Sequence, residues 1–112
     1  MALALNIFKS VATTITTADT VIYTAPTSYT AIVLMAQIAN VTGSTATVTV
    51  STLSAATSTE TELFKDFGVP GNDAVSAISG KLVLETGDQI LVSAGTNSAL
   101  KITLSILETA NQ

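Results

Sequence analysis

A chain of 112 residues with a formal net charge of −4 is one domain long, and an apolar share of 47% belongs to a folded protein. Charged residues make up only 11%, against about 25% in ordinary soluble domains, and 20 Thr and 11 Ser stand where most proteins place charges. Without cysteine, histidine, arginine or tryptophan, the chain has no disulfide, no thiolate metal site, no histidine base and no arginine-rich nucleic-acid footprint.

In chain order, residues 1–18 come first as an N-terminal strand or docking arm. The apolar run Leu3–Phe8 is its core, and Met1–Ser10 lacks the basic leader of a signal peptide. Val21–Thr24 predicts a strand ended by the turn at Pro26, Thr27 and Ser28. The long run Tyr29–Val41 follows. Within it, Ala31–Ala36 has no polar alternation, so a strand there needs cover on both faces from a loop, the arm or another subunit. After Gly43, Ala46, Val48 and Val50 alternate with Thr47, Thr49 and Ser51, which makes one apolar and one hydroxylic face. Threonine suits that pattern because its branched Cβ favours extended backbone.

Residues 54–59 read as a loop and Glu60–Phe67 as a strand, closed by the breakers Gly68, Pro70, Gly71 and Asn72. Ala74–Ser79 and Leu82–Glu85 flank Gly80, and Leu82–Leu84 again lacks polar alternation. Gly87 and Asp88 predict a hairpin joining Leu82–Glu85 to Ile90–Ala94. Gly95 and Asn97 precede a last strand in which Leu100, Ile102, Leu104 and Ile106 alternate with Lys101, Thr103 and Ser105. Residues 109–112 are expected to fray. Seven or eight short strands with turns about every ten residues predict an all-β, antiparallel β-sandwich of jelly-roll or Ig-like type over residues 19–108. The longest apolar run, Ala31–Ala36, is far short of the ~20 residues of a membrane helix, and five aromatics are too few for the girdles of an outer-membrane barrel.

Candidate chemistry is sparse. Glu60 and Glu62 share a strand face about 7 Å apart, the spacing of paired carboxylates, but no third acid adjoins them and a solvated edge explains them. Asn72, Asp73 and Asp88 sit beside glycines in turns and lack the spacing of a calcium loop. A hydroxyl nucleophile would need Lys9, Lys65, Lys81 or Lys101 as its base, and no Ser-x-x-Lys spacing occurs. Gly68–Asp73 lacks the lysine and hydroxyl of a phosphate loop. Asn40-Val41-Thr42 matches the glycosylation triplet by coincidence. Thr14/Thr16 and Thr47/Thr49 are too irregular for an ice-matching array. The expectation is no catalytic residue, no metal and no cofactor.

Twelve charges fall well below what soluble monomers carry on their surfaces, so much of this surface is expected to be covered in the working state. Hydroxyls can hydrogen-bond across an interface at lower desolvation cost than charges. Candidate interface residues are Leu3, Leu5, Ile7 and Phe8 of the arm, and Phe64 and Phe67. The last two fall on opposite faces of a regular strand, which leaves one to pack and one exposed.

Three segments carry a resemblance: Ile22-Tyr23-Thr24-Ala25-Pro26, the run Ala31–Val41, and Gly80-Lys81-Leu82-Val83-Leu84-Glu85-Thr86-Gly87-Asp88 followed by Ile90. Over residues 20–107 the chain resembles small virion structural proteins of tailed phages, those of cyanobacterial and other aquatic phages above all. Relatives often place Gly-Lys in the turn after the proline, where this chain has Thr27-Ser28-Tyr29. The resemblance implies a non-enzymatic β-sandwich made in the host cytoplasm and carried on the virion. There it would serve as a capsid decoration (cement) protein, with a neck, tail or fibre component or a host-surface binding module as alternatives. It implies other virion proteins as partners, such as the major capsid protein or neck and tail proteins. A homo-oligomer is expected, with no nucleic acid and no membrane.

Overall fold

Apolar and β-branched residues at alternate positions fold here as strands. The computed structural model describes residues 6–78 and 80–110. Nine strands follow in order: β1 (Asn6–Thr14), β2 (Thr20–Thr24), β3 (Tyr29–Asn40), β4 (Ala46–Ser54), β5 (Thr59–Val69), β6 (Ala74–Ser76), β7 (Leu82–Leu84), β8 (Gln89–Ala94) and β9 (Leu100–Ala110). All pairs are antiparallel. The first sheet runs β1-β9-β3, with β6 and β7 both lying along the far side of β3, and the second runs β2-β8-β4-β5.

The pairing is nested. The first strand meets the last, the second meets the eighth, the third meets the sixth and seventh, and the fourth meets the fifth. The chain is therefore one long hairpin with its tip at β4–β5, rolled into two facing sheets: a jelly roll rather than an Ig-like sandwich. The count is nine because the strand opposite β3 is interrupted between Ser76 and Leu82.

β9 is the central strand of the first sheet, and its even-numbered residues Leu100, Ile102, Leu104 and Ile106 are fully buried. Facing them from the second sheet are Val48, Val50, Ile90 and Val92, also buried. Each such side chain contributes about 1.5–3 kcal/mol through burial, which makes this interlayer the main source of stability.

Three expectations need correction. The turn at Gly87 exists: the Asp88 amide donates to the Glu85 carbonyl, and Gly87 supplies φ 86°. It does not close a hairpin, because β7 pairs with β3 in one sheet and β8 with β2 and β4 in the other. Turn chemistry is local and does not choose the pairing partner. The apolar run Ala31–Ala36 straddles a bulge between Val33 and Met35, so Ala31, Val33 and Ala36 all point inward while Leu34 is 38% exposed. Residues 109 and 110, expected to fray, are paired: Thr109 with Asn6 and Thr30, and Ala110 with Tyr29.

Candidate functional site

The even-numbered apolar row of β9 ends in a carboxylate. Glu108 occupies the next inward position after Ile106 and is 2% exposed. The Tyr23 hydroxyl, from β2 of the opposite sheet, donates to Glu108 Oε2 at 2.5 Å, and Lys9 Nζ of β1 lies 3.3 Å from the same oxygen. Burial first, and then the hydrogen bond and charge of Glu108, push the Tyr23 phenol far above its ordinary value, so it remains a donor. The cluster ties the edge strands β1 and β2 together at one side of the sandwich. It is a structural clamp with both partners of the acid supplied. Period-2 parity running from Leu100 through Ile106 is the signal that marks Glu108 in the sequence.

At the opposite end, Asn40 is 3% exposed and fully used. Its amide nitrogen donates to the carbonyls of Ser44 (2.7 Å) and Val69 (2.9 Å), and its side-chain oxygen accepts from the Thr42 amide (2.9 Å) and hydroxyl (2.7 Å). The glycosylation triplet therefore has no accessible acceptor. Asp88 joins two loops in the same manner, accepting from the amides of Ala55 and Glu85 at 3.0 Å each. Asp73 accepts from the Ala74 amide and Asn72 has φ 59°, so both are turn residues. Among the described residues, no group of three acidic side chains is placed to hold a metal ion, and no helix is long and apolar enough to cross a membrane.

The expected interface residues separate into three groups. Leu3 and Leu5 lie outside the described residues. Ile7 is half-buried at the pairing position opposite Glu108, and Phe8, one residue on, is 76% exposed. Phe64 and Phe67 stack with ring centroids 4.5 Å apart, so the expectation of opposite faces is overturned. The register shift between Val48 and Val50 sets three β5 residues against two on β4, bringing Phe67 opposite Val48 and Phe64 opposite Val50, both inward positions on β4. The extra residue is accommodated by Asp66 at φ 49°, whose amide donates to the Thr49 hydroxyl at 3.1 Å. Phe64 packs against the core, and Phe67 remains 42% exposed at the sandwich rim. Glu60 and Glu62 stand on the edge strand β5, with Ser51 donating to Glu60 at 2.5 Å. Beside this rim a cleft of about 400 Å³ opens between Leu63 and Phe64 on one side and Ile78, Lys81 and Leu82 on the other.

The outward face of the first sheet carries the arrangement that the sequence pattern did not reveal. Phe8 pairs with Leu107, Leu107 with Ile32, and Ile32 with Val83. Four large apolar side chains thus form one row across four neighbouring strands, perpendicular to their run. Phe8 is 76% and Val83 58% exposed, and Leu34 adjoins the row at the bulge. Among the described strand residues facing outward on this sheet, Lys101 is the one charged side chain. It lies six residues along β9 from Leu107, about 20 Å away.

No protein family matches the sequence, and no curated protein does. Among solved structures, a Bacillus endospore appendage, described as belonging to a novel family of disulfide-linked pili, matches with a TM-score of 0.57 at 15% identity. The match covers 100% of this chain and 97% of that one, so the likeness is one of fold over the full length of both.

Proposed function

We propose that this protein is a non-enzymatic structural subunit that works by packing into a larger assembly, and that the assembly is a tailed-phage virion on whose capsid it acts as a decoration protein. The carrying observation is the uncovered apolar row from Phe8 to Val83 on a face where one outward strand residue among those described is charged. Soluble domains do not usually leave contiguous apolar patches in water unless the patch serves an interaction. The sparing use of charge across the whole chain supports the same reading. The capsid address draws on the resemblance over residues 20–107. A decoration protein adds small contacts over many symmetric copies, and the sum is large.

A second reading is a subunit of an extracellular fibre, favoured by the full-length likeness in fold to the endospore pilus. That pilus is described as disulfide-linked, whereas this chain has no cysteine, so its contacts would form without disulfides.

Stoichiometry in purified particles tests the reading. Hundreds of copies per particle support the capsid, a handful to a few dozen support neck or tail, and filaments of the purified chain support the fibre. A protein found only free, with a radius of gyration near the 14.5 Å of the single chain at every concentration, overturns all three.

A further inference from the structure

We propose that the outward face of the first sheet is a self-association surface, on which a second copy of this chain packs sheet against sheet around the Phe8–Leu107–Ile32–Val83 row. The inference deepens the assembly reading and rests on it.

Shape favours a second copy as the occupant. The exposed Phe8 ring stands beside a notch of about 300 Å³ lined by Phe8, Ser10, Leu34 and Ser105 over the Lys9–Ile106 pair. Knob and socket therefore lie on the same face. A face that carries both is self-complementary: the ring of each protomer enters the notch of the other, as a two-fold contact requires.

Charge favours it as well. A strongly acidic or basic partner finds no countercharge, since Lys101 is the face's one charged side chain among the described strand residues. Two copies approaching on the row bury no pair of like charges, because Lys101 lies about 20 Å along the strand. Around the row the outward neighbours include Ser10, Ser105 and Thr109, groups that can exchange water for each other across the contact.

The area is adequate. Strands about 4.8 Å apart and about 3.4 Å long per residue give this face a flat extent of roughly 600 Å². Side-chain relief raises that toward the ~800 Å² per partner of a standard interface. The contact also supplies the cover that the outward side chains Leu34 and Val83 lack within the chain.

The test measures solution mass of the full chain over a wide concentration range. Phe8→Lys and Val83→Lys alter side chains already exposed, so circular dichroism and melting temperature should stay at wild-type values. The expected result is a reversible dimer or larger species whose dissociation constant rises at least tenfold in either variant. Because the chain has no cysteine, single-cysteine variants report geometry directly. Ser105→Cys should cross-link between chains with a short bismaleimide, each thiol adding across one maleimide double bond, and Thr57→Cys, at the β4–β5 tip, should not. A chain that is monomeric throughout, an oligomer unaffected by both lysine variants, or cross-linking at 57 and not at 105 overturns the inference. If the isolated chain is monomeric but Phe8→Lys abolishes its incorporation into particles, the face serves a different protein. That outcome overturns self-pairing and leaves the assembly reading standing. Loss of both self-association and particle incorporation in the wild type removes the two together.

Discussion

The two outward faces of the sandwich are built from similar strands and meet water very differently. On the second sheet two outward hydroxyls of β4 are bonded to acids of the edge strand. Ser51 donates to Glu60, and Thr49 exchanges hydrogen bonds with Asp66 at the β5 bulge. Three acids, Glu60, Glu62 and Asp66, line its edge strand. On the first sheet the outward positions carry the Phe8–Val83 apolar row and, among the described residues, one lysine. Low charge over the whole chain is therefore not spread evenly. The acids along β5 discourage approach at that edge, and the Phe8–Val83 row is left as the broadest apolar place for contact.

Mutations can break or sharpen that contrast. The largest effect is expected beneath both faces, where they share one core. Ile102→Ala removes a fully buried side chain of the central strand and should cost about 2–5 kcal/mol, read as a fall in denaturant midpoint and loss of both faces together.

The clamp at Glu108 comes next, because it holds the β1 edge on which Phe8 is mounted. Tyr23→Phe leaves the buried carboxylate short of a donor and should cost about 1.5–3 kcal/mol, measured by urea unfolding. The same residue sets an alkaline limit. Its phenol is raised in the folded state, so the unfolded chain gives up that proton first. The stability it contributes is intact below its unfolded value of about 10 and declines as pH rises beyond it, by up to about 1.4 kcal/mol per pH unit. Unfolding compared at about pH 9 and about pH 11 should show a smaller loss in Tyr23→Phe than in the wild type.

Thr49→Val tests whether the second face depends on its bulge. It deprives the Asp66 amide of its acceptor and should cost about 0.5–1.5 kcal/mol. Exposure of Phe67 at the rim should change while self-association does not. The smallest effect is expected for Ser93→Lys, an outward position on the second sheet. Stability should move by less than about 0.5 kcal/mol and oligomer mass not at all. A loss of association there would erase the distinction between the faces.

Much of the architecture was legible because its cause is local. Alternation in residues 46–51 and 100–106 marks strands and names their buried sides, and the structure buries Ala46, Val48, Val50, Leu100, Ile102, Leu104 and Ile106. The same parity extended by one step reaches Glu108, which a boundary drawn at Ile106 leaves out. Phe64 and Phe67 were misplaced because a bulge adds a residue, and a single insertion reverses every later side chain.

The sequence by itself thus determined that the chain is a two-layered β protein, which of its residues form most of the core, and that it is unusually sparing with charge. Side-chain period, β-branching and turn chemistry act between near neighbours, so they can be read along the chain. Only the tertiary structure decided that β7 and β8 part into different sheets, that β5 is bulged, and that Phe8, Ile32, Val83 and Leu107 share one row. Those features depend on pairing between residues dozens of positions apart, and pairing is settled by how the whole sheet buries its inward face.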